Sequence, residues 1–217
     1  MSESMTRELW QAVIKSAAGL SIFAIVTAGM IAVTQLSTAQ YIEQAQKRAR
    51  TKALLEIVPA DQHDNDLLAS TIKLAPDALL GNSQQTEAFL ATNNASPVAV
   101  ILPFTTPDGY TGDIDAIVGI RPDGSIKGVR ITGHKETPGL GDKIELRKSP
   151  WILGFNDKSL QNPTTNRWTV RKDGGEFDQL TGATITPRAV VSGTRKALEY
   201  FQNHRRRLLG LESTTVE

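Results

Sequence analysis

The stretch IDAIVGIRPDGSIKGVRIT, residues Ile114 to Thr132, does most to decide the fold. Two short runs rich in isoleucine and valine, Ile114–Ile120 and Ile126–Thr132, flank the segment Arg121–Ser125, which carries Pro and Gly where a tight turn prefers them. Short β-branched runs joined by such a turn are typical of a β-hairpin. The sequence therefore predicts two adjacent antiparallel strands over residues 114–132.

Other patterns extend from this hairpin in both directions. The apolar, β-branched run Val98–Phe104 predicts a buried strand. From Pro187 to about Arg206, apolar residues recur at helical spacing and predict an amphipathic helix. Strands in hairpins with helices at the ends indicate an α+β domain. We also expect short strands at Thr71–Leu74 and Glu87–Thr92, and a second hairpin made of Trp168–Arg171 and Phe177–Leu180.

Composition excludes several classes of protein. The 217 residues carry 24 Lys and Arg against 23 Asp and Glu, so the surface as a whole is not built for nucleic acid. The chain has no cysteine, which excludes disulfides, thiolate zinc sites and cysteine-ligated iron–sulfur clusters. With three histidines, we expect no metal site, and a redox role would fall to an organic cofactor.

The N-terminal part predicts one membrane-spanning helix. No residue from Ser16 to Ile42 is charged, and the apolar centre Ala17–Val33 is too long for a cleaved signal peptide. We therefore expect an uncleaved anchor. The predicted boundaries are 1–15 for a cytoplasmic N-terminus, 16–36 for the transmembrane anchor, 37–58 for a juxtamembrane helix that Pro59 ends, and 59–217 for the folded domain.

The sequence gives weaker signals for the orientation of this anchor and for its partners. Basic residues lie on both sides of the span, so the positive-inside rule does not decide, and the folded mass after the span favours an N-terminus inside the cell. Small residues recur along one face of the helix, either as a surface for a partner helix or because alanine is common in such spans. These residues are Ala17, Ser21, Ala24, Ala28 and Ala32.

The segment TGATIT, Thr181 to Thr186, leads directly into the C-terminal helix at Pro187. Thr186 before a proline is a typical N-cap and first-turn pair. The same position also suits a phosphate, because a helix N-terminus offers free N–H groups and a positive dipole end. From the residues alone, Thr186 is therefore either a helix cap or the acceptor of a phosphate ester.

The longer segment DQLTGATIT, Asp178 to Thr186, resembles the flavinylation motif of the FMN-binding domain family. That motif is Asp, two variable residues, Ser or Thr, Gly, Ala, Thr, one variable residue and Thr. The resemblance implies that a flavin transferase, using FAD, attaches FMN to Thr186 through a phosphoester bond. It also implies that the other fixed positions belong to the cofactor site, namely Asp178, Thr181, Gly182, Ala183 and Thr184.

The resemblance reaches the GYTG segment (Gly109–Gly112) and the loop HKETPGLGDKI (His134–Ile144). It implies that Glu136, Thr137, Leu140 and Gly141 close over the flavin ring. The alternative is an ordered surface loop in which His134 and Glu136 are solvated. We expect His134 to be a structural hydrogen-bonding residue, and we assign no residue of the chain a catalytic role.

Nearly the whole chain is similar to the G subunits of Rnf-type ion-translocating electron-transport complexes. This similarity implies a single-pass protein of the bacterial inner membrane whose flavin domain lies on the periplasmic side. It implies an electron carrier that works with the other membrane and peripheral subunits. Two alternatives remain: a component like the C subunit of sodium-translocating NADH:quinone reductases, or an anchored non-redox scaffold in which Thr186 only caps a helix.

Overall fold

The computed structural model describes residues 3–211 and divides into two compact units, one up to Ala49 and one from Arg50 onward. Helix α1, Glu3–Ile57, contains the candidate membrane span Val13–Ala39, which is long and apolar enough to cross a bilayer. Four of its hydroxyl groups donate within the helix. Each of Thr27, Thr34, Ser37 and Thr38 bonds the carbonyl four residues earlier at 2.8 Å, so these groups need no water.

The second unit is built on a five-stranded antiparallel sheet whose spatial order follows the chain. The hairpin of residues 114–132 is present, and the strands predicted before it are also confirmed. Together with the helices they confirm the α+β class. The strands are β1 (Thr71–Leu74), β2 (Thr86–Asn93), β3 (Ser96–Thr106), β4 (Ile114–Ile120) and β5 (Ile126–Gly133).

Helix α2, Ile185–Leu208, packs on one face of this sheet. It can approach closely because Gly193 has no side chain: a Cβ there would lie 2.8 Å from the Phe104 ring. The face between helix and sheet forms the larger hydrophobic core. Short 3₁₀ helices complete the unit at Ala60–Gln62, Gly141–Ile144, Pro150–Phe155, Thr165–Arg167 and Arg171–Asp173.

The last turns of α1 cover the opposite face of the sheet. Leu54 and Ile57 are buried there against Phe89, Ile101 and other strand residues, forming a second core. Ile57 lies over paired glycines: Gly119 and Gly128 are register partners in β4 and β5, and a Cβ on Gly119 would lie 2.2 Å from Ile57 Cγ2. The missing side chains make a depression that Ile57 fills.

We expect a double-mutant cycle to measure this fit. Ile57→Ala should lower the free energy of unfolding by about 2–4 kcal/mol by leaving a cavity. Gly119→Ala should lower it by about 1–3 kcal/mol, because its methyl group overlaps Ile57. In the double variant the methyl group enters space that Ile57 vacated, so the two losses should not add. Thermal or denaturant unfolding would measure all four proteins, and full additivity would contradict the contact.

The predicted second hairpin is wrong. Residues 165–173 form two 3₁₀ turns, and Val170 and Phe177 share an isolated parallel bridge instead of an antiparallel ladder. The physical reason is aromatic packing. Phe177 lies against Phe155 (ring centroids 4.6 Å apart) and against Trp168 (4.9 Å), so these side chains gather in one cluster and do not alternate between two faces.

Candidate functional site

A pocket of about 430 Å³ lies between the loop that follows β5 and the turn that precedes α2. The two segments are far apart in the chain, and the sheet and α2 bring them together. This volume falls within the range of small-molecule sites. The lining residues are Tyr110, Glu136, Thr137, Leu140, Gly141, Gly182, Ala183, Thr184, Ile185 and Thr186.

Thr186 is buried at the inner end of the site, with 1% of its surface exposed. Helix α2 begins at Ile185, and Thr184 occupies the N-cap position without making a side-chain capping bond. Of the two interpretations of Thr186, the helix-cap alternative is therefore wrong. Its hydroxyl group instead donates to Oε2 of Glu136, which lies 50 residues earlier in the chain. The helix end is left without a side-chain cap, and the threonine is tied to the loop.

Glu136 is held by several donors and is 4% exposed. Its Oε1 accepts from the backbone N–H and from the hydroxyl of Thr111, both at 3.0 Å. Its own N–H donates to Nδ1 of His134 at 3.0 Å, and His134 Nε2 lies 2.8 Å from Oε1 of Glu145. The solvated-loop interpretation of His134 and Glu136 is therefore wrong, and His134 has a structural role.

These contacts set the charge of Glu136. Burial raises its pKa, but the hydrogen bonds from Thr186 and from the N–H and hydroxyl of Thr111 together bring the pKa below its usual range. The carboxylate is consequently ionised at neutral pH. An anionic acceptor thus faces the hydroxyl group of Thr186.

Two glycines allow the pocket walls to meet. A Cβ on Gly141 would lie 2.9 Å from Oε2 of Glu136 and 3.0 Å from Oγ1 of Thr186, so a side chain there would separate the pair. Gly182 has a φ of +82°, which favours glycine, and a Cβ there would lie 2.9 Å from Cδ2 of Leu140. Thr137 closes the loop, since its carbonyl accepts from the N–H of Gly141 at 3.0 Å.

Large apolar side chains surround the mouth of the pocket. Tyr110 is 66% exposed, Ile185 45% and Leu140 41%, and all three line the pocket. A group of large apolar side chains exposed together is unusual on a protein surface and marks a binding site. Sequence reasoning did not single out Tyr110 or Ile185 as site residues. Tyr110 lies inside the GYTG segment, which was the signal for it, whereas Ile185 occupies a variable position of the motif and had none.

Asp178 and Thr181 lie apart from this pocket. They line a neighbouring pocket of about 540 Å³ together with Lys143 and Trp151. Asp178 is exposed; its carboxylate pairs with Nη1 of Arg171 at 2.8 Å, and its carbonyl accepts from Nε1 of Trp151 at 2.6 Å. The structure therefore gathers Glu136, Thr137, Leu140 and Gly141 with residues 182–186, and leaves the first half of the motif on another surface.

The pocket has the features of a site for an anionic ligand with a large apolar part. The first turn of α2 offers backbone N–H groups that have no partner within the helix, and its dipole is positive at this end. The exposed apolar side chains offer a surface for a flat ring. A hydroxyl group between these features is positioned to carry a phosphate ester.

Comparisons with known proteins agree with this geometry. Residues 109–199 match the FMN-binding domain family, and residues 1–57 match the RnfG N-terminal region. A Pseudomonas aeruginosa protein described as the G subunit of an ion-translocating oxidoreductase complex is 46% identical over 202 residues, covering 93% of this chain and 94% of that protein. A protein of the same description from Vibrio cholerae serotype O1 is 46% identical over 189 residues, covering 87% of this chain and 90% of that protein. Another from Vibrio vulnificus is 43% identical over 198 residues, covering 91% of this chain and 93% of that protein. The chain therefore belongs to the family of G subunits of ion-translocating oxidoreductase complexes and carries that family's FMN-binding domain.

Proposed function

We propose that this protein is the membrane-anchored electron-transfer subunit of an Rnf-type ion-translocating oxidoreductase complex, with FMN attached to Thr186 through a phosphoester bond. The observation that carries the proposal is the meeting of Thr186 with the loop of residues 134–141 around one pocket. The match to the RnfG N-terminal region favours this function over a relative of the quinone-reductase C subunit. Thr186 lies inside the helix rather than at its N-cap, and its hydroxyl donates to Glu136, which speaks against the scaffold alternative in which it only caps the helix.

In this proposal, different residues of the pocket tether the cofactor, bind its phosphate and cover its ring. Thr186 tethers the cofactor, and the first-turn N–H groups of α2 hold the phosphate. Tyr110, Leu140 and Ile185 cover the flavin ring and keep water from it. When bound, the flavin supplies the electron-transfer chemistry, and the protein supplies attachment and orientation. A covalent tether suits a domain outside the cytoplasm, where a lost cofactor would be hard to replace.

Asp178 lies outside the pocket but anchors the motif segment, in which Thr181 directly precedes Gly182. The ion pair of Asp178 with Arg171 and the bond from Trp151 to the Asp178 carbonyl hold the segment that leads to the turn at Gly182. This turn delivers Ala183, Thr184 and Thr186 to the pocket. We propose that the motif residues outside the pocket fix this segment, while those inside contact the cofactor.

Intact mass spectrometry of the exported chain tests the attachment. The chain is produced with and without an active flavin transferase. We expect an increment of about 438 Da, the mass of FMN less one water, only with the transferase. Visible flavin absorbance should stay with the chain after denaturation. An unmodified chain recovered beside an active transferase would contradict the proposal.

We further propose that the flavin domain lies on the periplasmic side of the inner membrane, with the N-terminus inside the cell. Because the chain has no cysteine, single cysteines report their own exposure without background. Asp108→Cys, at an exposed position of the domain, should react with a membrane-impermeant maleimide in cells with a permeabilised outer membrane. Ser4→Cys should react only after the inner membrane is broken. The reverse labelling pattern would contradict this orientation.

The partners that we propose are the other membrane and peripheral subunits of the complex, and a flavin transferase during maturation. The small-residue face of the span is one candidate contact. Ala17, Ser21, Ala24, Ala28 and Ala32 are all exposed on the described helix, and small side chains permit close helix packing in a membrane.

A further inference from the structure

The hydrogen bond between Thr186 and Glu136 has a chemical consequence if Thr186 is the flavin acceptor. Attachment replaces the hydroxyl hydrogen of Thr186 with phosphorus, and that hydrogen already points at a carboxylate. We propose that Glu136 is a catalytic residue of flavin attachment, supplied by the acceptor protein itself, and that it accepts the proton of Thr186 as the new bond forms. This inference rests on the proposed function.

The surroundings of Glu136 aim one oxygen at Thr186. Oε1 is occupied by the two donors of Thr111, which leaves Oε2 for the Thr186 hydroxyl. The Glu136 N–H donates to His134 Nδ1, which fixes the loop backbone at this residue. The missing side chain of Gly141 lets the two groups approach.

No fixed positive charge neutralises the Glu136 carboxylate among the described residues. Among residues 3–211, the structure gives Glu136 no ion-pair partner, whereas the nearby Glu145 pairs with both His134 and Arg147. A carboxylate neutralised by an arginine accepts a proton poorly. His134 receives the Glu136 N–H at Nδ1, so its other ring nitrogen donates to Glu145 and the ring brings no proton to Glu136.

The proposed step balances with FAD as the co-reactant. Oγ1 of Thr186 attacks the phosphorus on the riboflavin side of the FAD pyrophosphate, and a P–O bond forms. The bond from that phosphorus to the bridging oxygen breaks, and AMP leaves with the electron pair. The hydroxyl proton passes to Oε2 of Glu136 and then to solvent. No electron is gained or lost overall. A carboxylate that accepts the proton of an attacking hydroxyl is a recurring part of phosphoryl transfer.

The test is the initial rate of flavin attachment by a purified flavin transferase with FAD, followed as the intact-mass increment. Glu136→Gln keeps the shape of the side chain but cannot take the proton. We expect its maximal rate to fall by about 10²- to 10⁴-fold, with the half-saturating concentration of the acceptor chain changed by less than about threefold. Glu199→Gln, a carboxylate of α2 paired with Arg195, is the matched control and should react like the wild type.

Unfolding curves of each variant show whether the domain is intact. If Glu136→Gln does not fold, Glu136→Ala with added formate replaces it, since a small carboxylate can enter the space left by the side chain. Formate should then raise the rate of Glu136→Ala and leave Thr186→Ala inert.

A folded Glu136→Gln protein that reaches the wild-type maximal rate would overturn the role of Glu136 and leave the proposed function standing. If the glutamine variant is unfolded, a Glu136→Ala protein whose attachment rate formate does not raise would also overturn the role of Glu136. A wild-type chain that takes up no flavin would instead refute the attachment itself.

Discussion

Replacing Thr186 by alanine will abolish covalent attachment of FMN and leave a folded domain. Thr186 lies in the first turn of α2, and its hydroxyl group donates to the Glu136 carboxylate. Among the described residues, no other hydroxyl group of that turn does so. Alanine removes the atom that forms the ester. Intact mass should show no increment, and digestion of the wild-type chain should locate the flavin on the peptide that contains Thr186.

The same variant should be modestly less stable. Glu136 loses a hydrogen-bond donor in a buried setting, which costs about 1–3 kcal/mol. Thr194→Ala is the matched control: Thr194 is also buried on α2, but its hydroxyl donates to the carbonyl of Val190 at 2.8 Å. It should keep the flavin. A Thr186→Ala chain that still carries the full mass increment would refute the assignment of the acceptor.

Replacing Gly175 by alanine will cause a large loss of stability through a single added methyl group. A Cβ at Gly175 would lie 1.9 Å from the carbonyl oxygen of Thr169 and 2.3 Å from its carbonyl carbon. These are backbone atoms, so no rotamer change relieves the overlap. We expect the free energy of unfolding to fall by about 2–4 kcal/mol. Thermal and denaturant unfolding measure this loss.

Two other glycines serve as controls for this effect. Gly174 has a φ of +84° with open space around its Cβ position, so Gly174→Ala should cost about 1–2 kcal/mol from backbone strain alone. Gly154 has open space and no positive φ, so Gly154→Ala should change stability by less than about 0.5 kcal/mol. If all three substitutions cost the same, the overlap with Thr169 is not what constrains Gly175.

The segment around Gly175 is where the local pattern wrongly predicted a hairpin. The segment Lys172–Glu176, followed by the apolar Phe177, has the composition of a hairpin turn, and the local pattern contains nothing against it. What decides the segment is the attraction of Phe177 to Phe155 and Trp168, which come from separate parts of the chain. Contacts between residues distant in sequence leave no trace in local periodicity.

At the start of α2, local sequence pattern also failed to predict the hydrogen bond of Thr186. Thr186 followed by Pro187 has the form of an N-cap pair, and local preference favours it. The buried carboxylate of Glu136 offers a stronger partner, because a hydroxyl that donates to a charged acceptor forms a stronger hydrogen bond than one that accepts from a neutral backbone N–H group. The hydroxyl therefore turns to the loop, and the helix begins before the predicted start, at Ile185.

By itself, the sequence determined the five strands, the C-terminal helix, the apolar span and the motif that ends at Thr186. These features are local: alternation, helical spacing, length and spacing of residue types can all be read along the chain. Only the tertiary structure decided that Glu136 meets Thr186, that Tyr110 and Ile185 border the pocket, and that Asp178 lies outside it. The reason is that β-sheet registration and the packing of α2 set these distances, and both depend on contacts between residues far apart in the chain.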